Sequence, residues 1–172
     1  SSLAHLYITG YGQRLSAAEV EQEQPLLLRF LSRHQGIGFV LARGEGSEIC
    51  CYHDGGRTIG SGECAPAPEE LAFLRPYGEP ETLWPRLVDF ALDDACGDLI
   101  LFGAYDGERI ACFDDQVGGH GSVGGEQSRP FVILPSTHPL AGRNDLVGND
   151  FLYHEVFKPL RSDPPSAPPS HI

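Results

Sequence analysis

Gly118-Gly119-His120-Gly121-Ser122-Val123-Gly124-Gly125 sets a single histidine among five glycines within eight residues. Glycine tolerates positive φ and lets backbone or ligand approach closely, so such a run suits a loop rather than a strand or helix. An imidazole held there, just past a strand end, can offer a ring nitrogen to a metal ion or a phosphate. From chemistry alone two readings stand, a plain solvated loop or a ligand-bearing one, and plain loops are the commoner kind. A nucleotide P-loop is excluded, because no Gly-Lys-Ser or Gly-Lys-Thr accompanies these glycines.

Other residues could do chemistry in principle. Cys50, Cys51, His53 and Cys64 are the types that bind zinc, but vicinal cysteines on a strand point to opposite faces, which argues against a shared ion. His5 is expected on a strand face, His34 at a helix end, His138 in a turn and His154 half-solvated on a helix. Asp114 and Asp115 adjoin the glycine loop. At most one of them can face His120 as an acceptor, and solvation is the default for both. No Gly-x-Ser-x-Gly elbow supports a serine triad.

The stretch Phe113-Asp114-Asp115-Gln116-Val117-Gly118-Gly119-His120-Gly121-Ser122-Val123-Gly124-Gly125-Glu126-Gln127, followed by Arg129-Pro130-Phe131-Val132-Ile133-Leu134-Pro135, resembles the closing section of alkaline phosphatase superfamily proteins. The closest likeness is to the type I phosphodiesterase and nucleotide pyrophosphatase branch. Leu3-Ala4-His5-Leu6-Tyr7-Ile8, Gly36 to Leu41, Gly97 to Leu101 and Asp145-Leu146-Val147-Gly148 are similar to further segments of that family. The resemblance implies that His120 is the last ligand of a two-metal site, usually zinc, acting on a phosphate ester or nucleotide. It also implies that a Ser or Thr nucleophile, an early Asp ligand, an Asp-x-x-x-His pair and an Asp-His-Gly motif lie upstream of residue 1. His53-Asp54-Gly55-Gly56 inverts the last of these motifs and inherits no role. On this reading the chain holds one metal ligand, no catalytic residue and no assigned substrate-binding residue, and is inactive alone. The alternative is a non-enzymatic acidic α/β module for binding or assembly.

Strands and helices must position the loop. Residues 3–9 read as a strand closed by Gly10-Tyr11-Gly12. Ser16-Ala17-Ala18-Glu19 is a capping box, and Pro25 restarts a second helix. Ile37 to Leu41 is a buried strand, and Glu48 to Tyr52 with Arg57 to Ile59 form a hairpin turning at Asp54-Gly55-Gly56. Pro66 to Leu74 and Thr82 to Leu92 suit helices. Asp98 to Tyr105, Arg109 to Phe113 and Pro130 to Pro135 suit strands, and a helix is expected from about Leu146 to Leu160. The class is therefore α/β: a partial alkaline-phosphatase-like mixed sheet flanked by helices over residues 1–161, then a Pro/Ser-rich tail over 162–172 expected to be disordered.

Composition narrows the partners. A net charge of −12, with only 12 scattered basic residues in 172, disfavours nucleic acid. No apolar run is long enough for a membrane helix. Five cysteines, an odd number, with no secretion signal point to reduced thiols and a cytoplasmic setting. The abrupt start on an apolar strand suggests a piece of a longer protein, and so an incomplete sheet that self-associates through an exposed edge.

Overall fold

In the computed structural model, which describes residues 1–115, 119, 121–129, 131–145 and 149–159, local sequence signals set most element boundaries. The capping box forms in full. Ser16 Oγ accepts the Glu19 N–H, the Glu19 carboxylate accepts the Ser16 N–H at 2.7 Å, and helix α1 runs Ala17–Glu23. Pro25 ends that helix, and α2 follows as Leu27–Leu31. Strands β3 (Ile49–His53) and β4 (Gly56–Gly60) meet at Asp54-Gly55, both with positive φ (48° and 75°) as a tight two-residue hairpin turn demands. Helix α3, Pro80–Leu92, opens on a proline whose missing N–H costs nothing at the first helical position.

Two more β-rich stretches supply the middle of the sheet, β2 (Ile37–Arg43) and β5 (Leu99–Gly103), with β1 (Leu3–Leu6) on one edge. The five strands lie in the order β1-β5-β2-β3-β4, and every pairing is antiparallel. All five residues of β5 are buried, because both faces of the sheet are covered. The period-2 alternation of strands sorts the side chains cleanly. Phe39, Leu41, Ile49, Cys51, Ile100 and Phe102 meet Trp84, Leu87 and Val88 of α3 on one face. Val40, Ala42, Cys50, Tyr52, Leu99 and Leu101 meet Val20 of α1 and Leu28 and Leu31 of α2 on the other. Trp84 is fully buried and its indole N–H donates to Ser61 O at 3.2 Å, so its polar atom is satisfied. Helices on both faces of one sheet give the mixed α/β class expected.

Three expectations are corrected. Pro66 to Leu74 is not an α-helix: its backbone closes turns mainly through i→i+3 bonds, such as the Glu70 N–H to Ala67 O and the Leu74 N–H to Leu71 O, and only Ala72–Leu74 forms a 3-10 turn that buries Leu74. Arg109 to Phe113 makes an isolated bridge, Tyr105 to Ile110, instead of a strand, with the Ala111 N–H donating to Ala104 O. Among the described residues of 130–135 there is no strand, and Phe131 and Ile133 are left 85% and 86% exposed.

The chain divides into two units, Ser1–Pro130 and Phe131–Ile172. In the second, α4 is Asn149–Leu152 and continues as a π-helical turn over Tyr153–Phe157; residues 146–148, 160 and the tail 161–172 lie outside the described residues. Arg143 there grips Asp145 through two hydrogen bonds of 2.9 and 2.6 Å and lies over the Phe151 ring. No helix among the described residues is long and apolar enough to cross a membrane.

Candidate functional site

The glycine loop follows β5 by way of Tyr105 and the Ala111 turn. His120, the residue the resemblance singles out, lies outside the described residues, as do residues 116–118. What flanks it is held firmly. The loop closes on a 3-10 turn, Gly125–Ser128. Gln127 braces it from within: its Oε1 accepts the Ser122 N–H and its Nε2 donates to Val123 O, both at 3.0 Å. Ser128 Oγ accepts the Gly124 N–H at 2.7 Å, and Val123 packs against the core face that holds α3. Gly124 and Gly125 have φ of 100° and 62° and sit against the Tyr77 and Tyr105 rings, where a Cβ would come within 3.0 to 3.3 Å. The positive φ strains any side chain there, and the tyrosine rings leave a Cβ little room.

Tyr77 is the clasp of this end of the sheet. Its phenol donates to Gly103 O and accepts the Tyr105 N–H, each at 3.2 Å. A Cβ on Gly38 would fall 1.7 Å from that hydroxyl, which is why β2 carries a glycine and slips register between Ile37 and Phe39. The loop is thereby tied to Gly103, the last residue of the interior strand β5. Gly119 closes against the first residue of the chain: a Cβ there would lie 2.6 Å from Ser1 N. Asp114 Oδ1 accepts from the Ser1 amino group at 2.6 Å, and Asp115 is exposed.

The other histidines hold local backbone or pack on rings. His5 Nδ1 accepts the Gly97 N–H at 3.1 Å, and burial, then the charge of Arg14, holds its pKa below the usual imidazole value. His34 and His138 accept the N–H groups of Gly36 and Leu140 at 3.1 and 3.2 Å. His154 stands edge-on to the Tyr153 ring. His53 stacks flat on Phe73 at 3.7 Å and meets Thr58 Oγ1 at 3.1 Å; burial lowers its pKa against the opposing pull of Asp54.

Cys50 and Cys51 point into opposite core faces, as vicinal strand residues must, and Cys64 is exposed in a turn. Burial pushes the Cys51 thiol well up, which makes it an inert apolar group. Among the described residues no three His, Cys, Asp or Glu side chains are placed to share a metal ion. A closed zinc site takes four protein ligands and an open one three, so these residues do not make one by themselves.

Two features were not visible in the sequence. Asp98, buried, accepts the backbone N–H groups of Ile8 at 2.6 Å and Leu15 at 2.5 Å, and so pins the whole β1–α1 connection beside β5. Arg14 and Arg43 cap the C-terminal end of α3, donating to the carbonyls of Ala91, Leu92 and Asp93 at 2.8 to 3.0 Å. Burial, then the neighbouring Arg43 charge, lowers the pKa of Arg14. Both arrangements join residues some 50 to 90 positions apart, which no local motif announces.

The chain matches no family model, and no curated protein or solved structure is significantly similar to it.

Proposed function

We propose that this chain contributes one metal ligand, His120, to a metal-dependent phosphohydrolase of the phosphodiesterase and nucleotide pyrophosphatase type. The supporting observation is the anchoring of the surrounding loop. Gly124 and Gly125 are wedged on Tyr77 and Tyr105 near the end of β5, and Gln127 fixes Ser122 and Val123, so the backbone from 122 to 125, on the C-terminal side of residue 120, is held in place. A ligand needs that support, because a coordinating imidazole works only when its position is fixed before the metal arrives. A solvated surface loop needs none of it.

Zinc ions, when bound, would neutralise a phosphate ester and lower the pKa of a hydroxyl nucleophile. They would also supply the positive charge that a chain of net charge −12 lacks. The ligands beyond His120 come, on this reading, from outside the described residues. The acidic binding or assembly module remains as a second reading, favoured by a sheet whose two faces are both packed, by α3 on one and by α1 and α2 on the other.

The test uses the product of the complete reading frame that carries this chain. With zinc present, hydrolysis of bis-p-nitrophenyl phosphate is expected to fall by about a hundredfold or more in His120→Ala, with little change in melting temperature. Turnover that survives the substitution removes His120 from the site. No zinc-dependent hydrolysis by the wild type favours the binding module.

A further inference from the structure

We propose that this chain pairs with a second copy of itself along the outer edge of β1, antiparallel, with His5 of each copy opposite Tyr7 of the other.

The parity of the β1–β5 ladder says which backbone groups are open. The Gly103 N–H donates to Ser2 O at 2.8 Å, and Ala4 and Leu6 stand opposite Leu101 and Leu99 in the same register. In an antiparallel pair, hydrogen-bonded residues alternate with residues whose N–H and C=O point the other way. Ser2, Ala4 and Leu6 therefore turn their groups toward β5, while Leu3 and His5 turn theirs outward; Tyr7, just past the strand, continues the alternation, because the next N–H, of Ile8, turns back to Asp98 at the head of β5. The outer groups at the start of the strand are taken. Ser1 O accepts the Phe113 N–H at 2.8 Å, and Ser1 Oγ serves both the Leu3 N–H (3.3 Å) and Leu3 O (2.8 Å). At His5 and Tyr7 the outward N–H and C=O have no partner among the described residues. Two residues apart on one edge, they have the spacing of a strand ladder.

The occupant follows from what the edge lacks and from its symmetry. Natural edges are guarded by Lys, Pro, bulges or a covering segment. The opposite edge of this sheet is guarded in that way: β4 carries exposed Arg57, and Pro66 with the Cys64 carbonyl crowds Gly60. From Ser2 to Thr9 there is no Asp, Glu, Lys, Arg or Pro. In a chain of net charge −12, that uncharged strip is where a second copy meets least like-charge repulsion. A two-fold contact must be self-complementary. A two-fold axis at Leu6 sets the open groups of His5 against those of Tyr7 in both directions, which closes four N–H···O bonds with no group outside the strand. The Tyr7 ring, 61% exposed and stacked beside His5 at 6.3 Å, then lies across the His5 ring of the other copy.

Light scattering after size exclusion, run on the 172-residue chain over a concentration series, should show a monomer–dimer equilibrium with its midpoint at or below about 100 µM. Hydrogen exchange should show the His5 and Tyr7 amides gaining protection as concentration rises. His5→Pro deletes an outward N–H and leaves the ladder to β5 intact. Tyr7→Lys adds the charge that guarded edges carry. Each is expected to weaken the dimer at least tenfold, with the monomer still folded by circular dichroism. If His5→Pro does not fold, Tyr7→Lys and the exchange data decide alone. A wild type that stays monomeric throughout overturns the proposal. So does a dimer of unchanged affinity in Tyr7→Lys, or any association that leaves the His5 and Tyr7 amides unprotected.

Discussion

Asp98 holds the β1–α1 connection with a buried carboxylate. Its two carboxylate oxygens each take one backbone N–H, from Ile8 and from Leu15, at the short distances of charge-assisted bonds. A hydrogen bond to a charged group contributes about 1.5 to 3 kcal/mol, and an orphaned buried donor costs a similar amount. Asp98→Asn keeps the shape but turns an amide NH₂ toward one of those N–H groups. We expect it to lower unfolding stability by about 3 kcal/mol, read as a shift in the urea midpoint with an unchanged slope. An unmoved midpoint would mean that the carboxylate is dispensable. Sequence alone places Asp98 as the first residue of a strand and gives no hint of this, because its partners lie 83 and 90 positions away. The Tyr77 clasp was hidden for the same reason. By contrast, the glycines around His120 are conspicuous in the sequence, since only Gly fits the positive φ and close ring contacts at positions 124 and 125.

Elements with a local cause were the legible ones. Ser16 and Glu19 satisfy each other's backbone donors, and the short helix α1 depends on them more than on propensity, having only seven residues. Ser16→Ala should therefore cost about 1 kcal/mol, measurable by thermal unfolding; a loss within error would show that burial of Ala17 and Val20 alone holds the helix. The Asp54-Gly55 turn was equally plain. Strand text without a neighbour was not. Phe131-Val132-Ile133 has the residue types of a strand, yet β propensity describes how a side chain fits a pleated, half-buried surface, and among the described residues no strand pairs with it. Pro66 to Leu74 closes its turns mainly with i→i+3 bonds, Glu70 N–H to Ala67 O, Ala72 N–H to Glu69 O and Leu74 N–H to Leu71 O, so no α-helical ladder runs through it.

At the scale of the whole molecule, the order of strands in space differs from their order along the chain. β2, β3 and β4 are sequential neighbours joined by short turns, so that meander can assemble from nearby residues. β1 has no such option. Among the described residues its partner strand is β5 alone, and the Leu3–Phe102 pairing closes almost a hundred residues of chain. That closure is a late, entropically costly event, and contacts of such long range slow folding. Of the five strands, β1 emerges from synthesis first and is expected to pair last. Until β5 arrives, Leu3, Leu6 and Ile8 have no sheet to join. Stopped-flow refolding with pulsed hydrogen exchange should show the amides of β3 and β4 protected before the Ala4 and Leu6 amides, which should become protected together with β5. Simultaneous protection of all five strands would show that the sheet closes in a single concerted step.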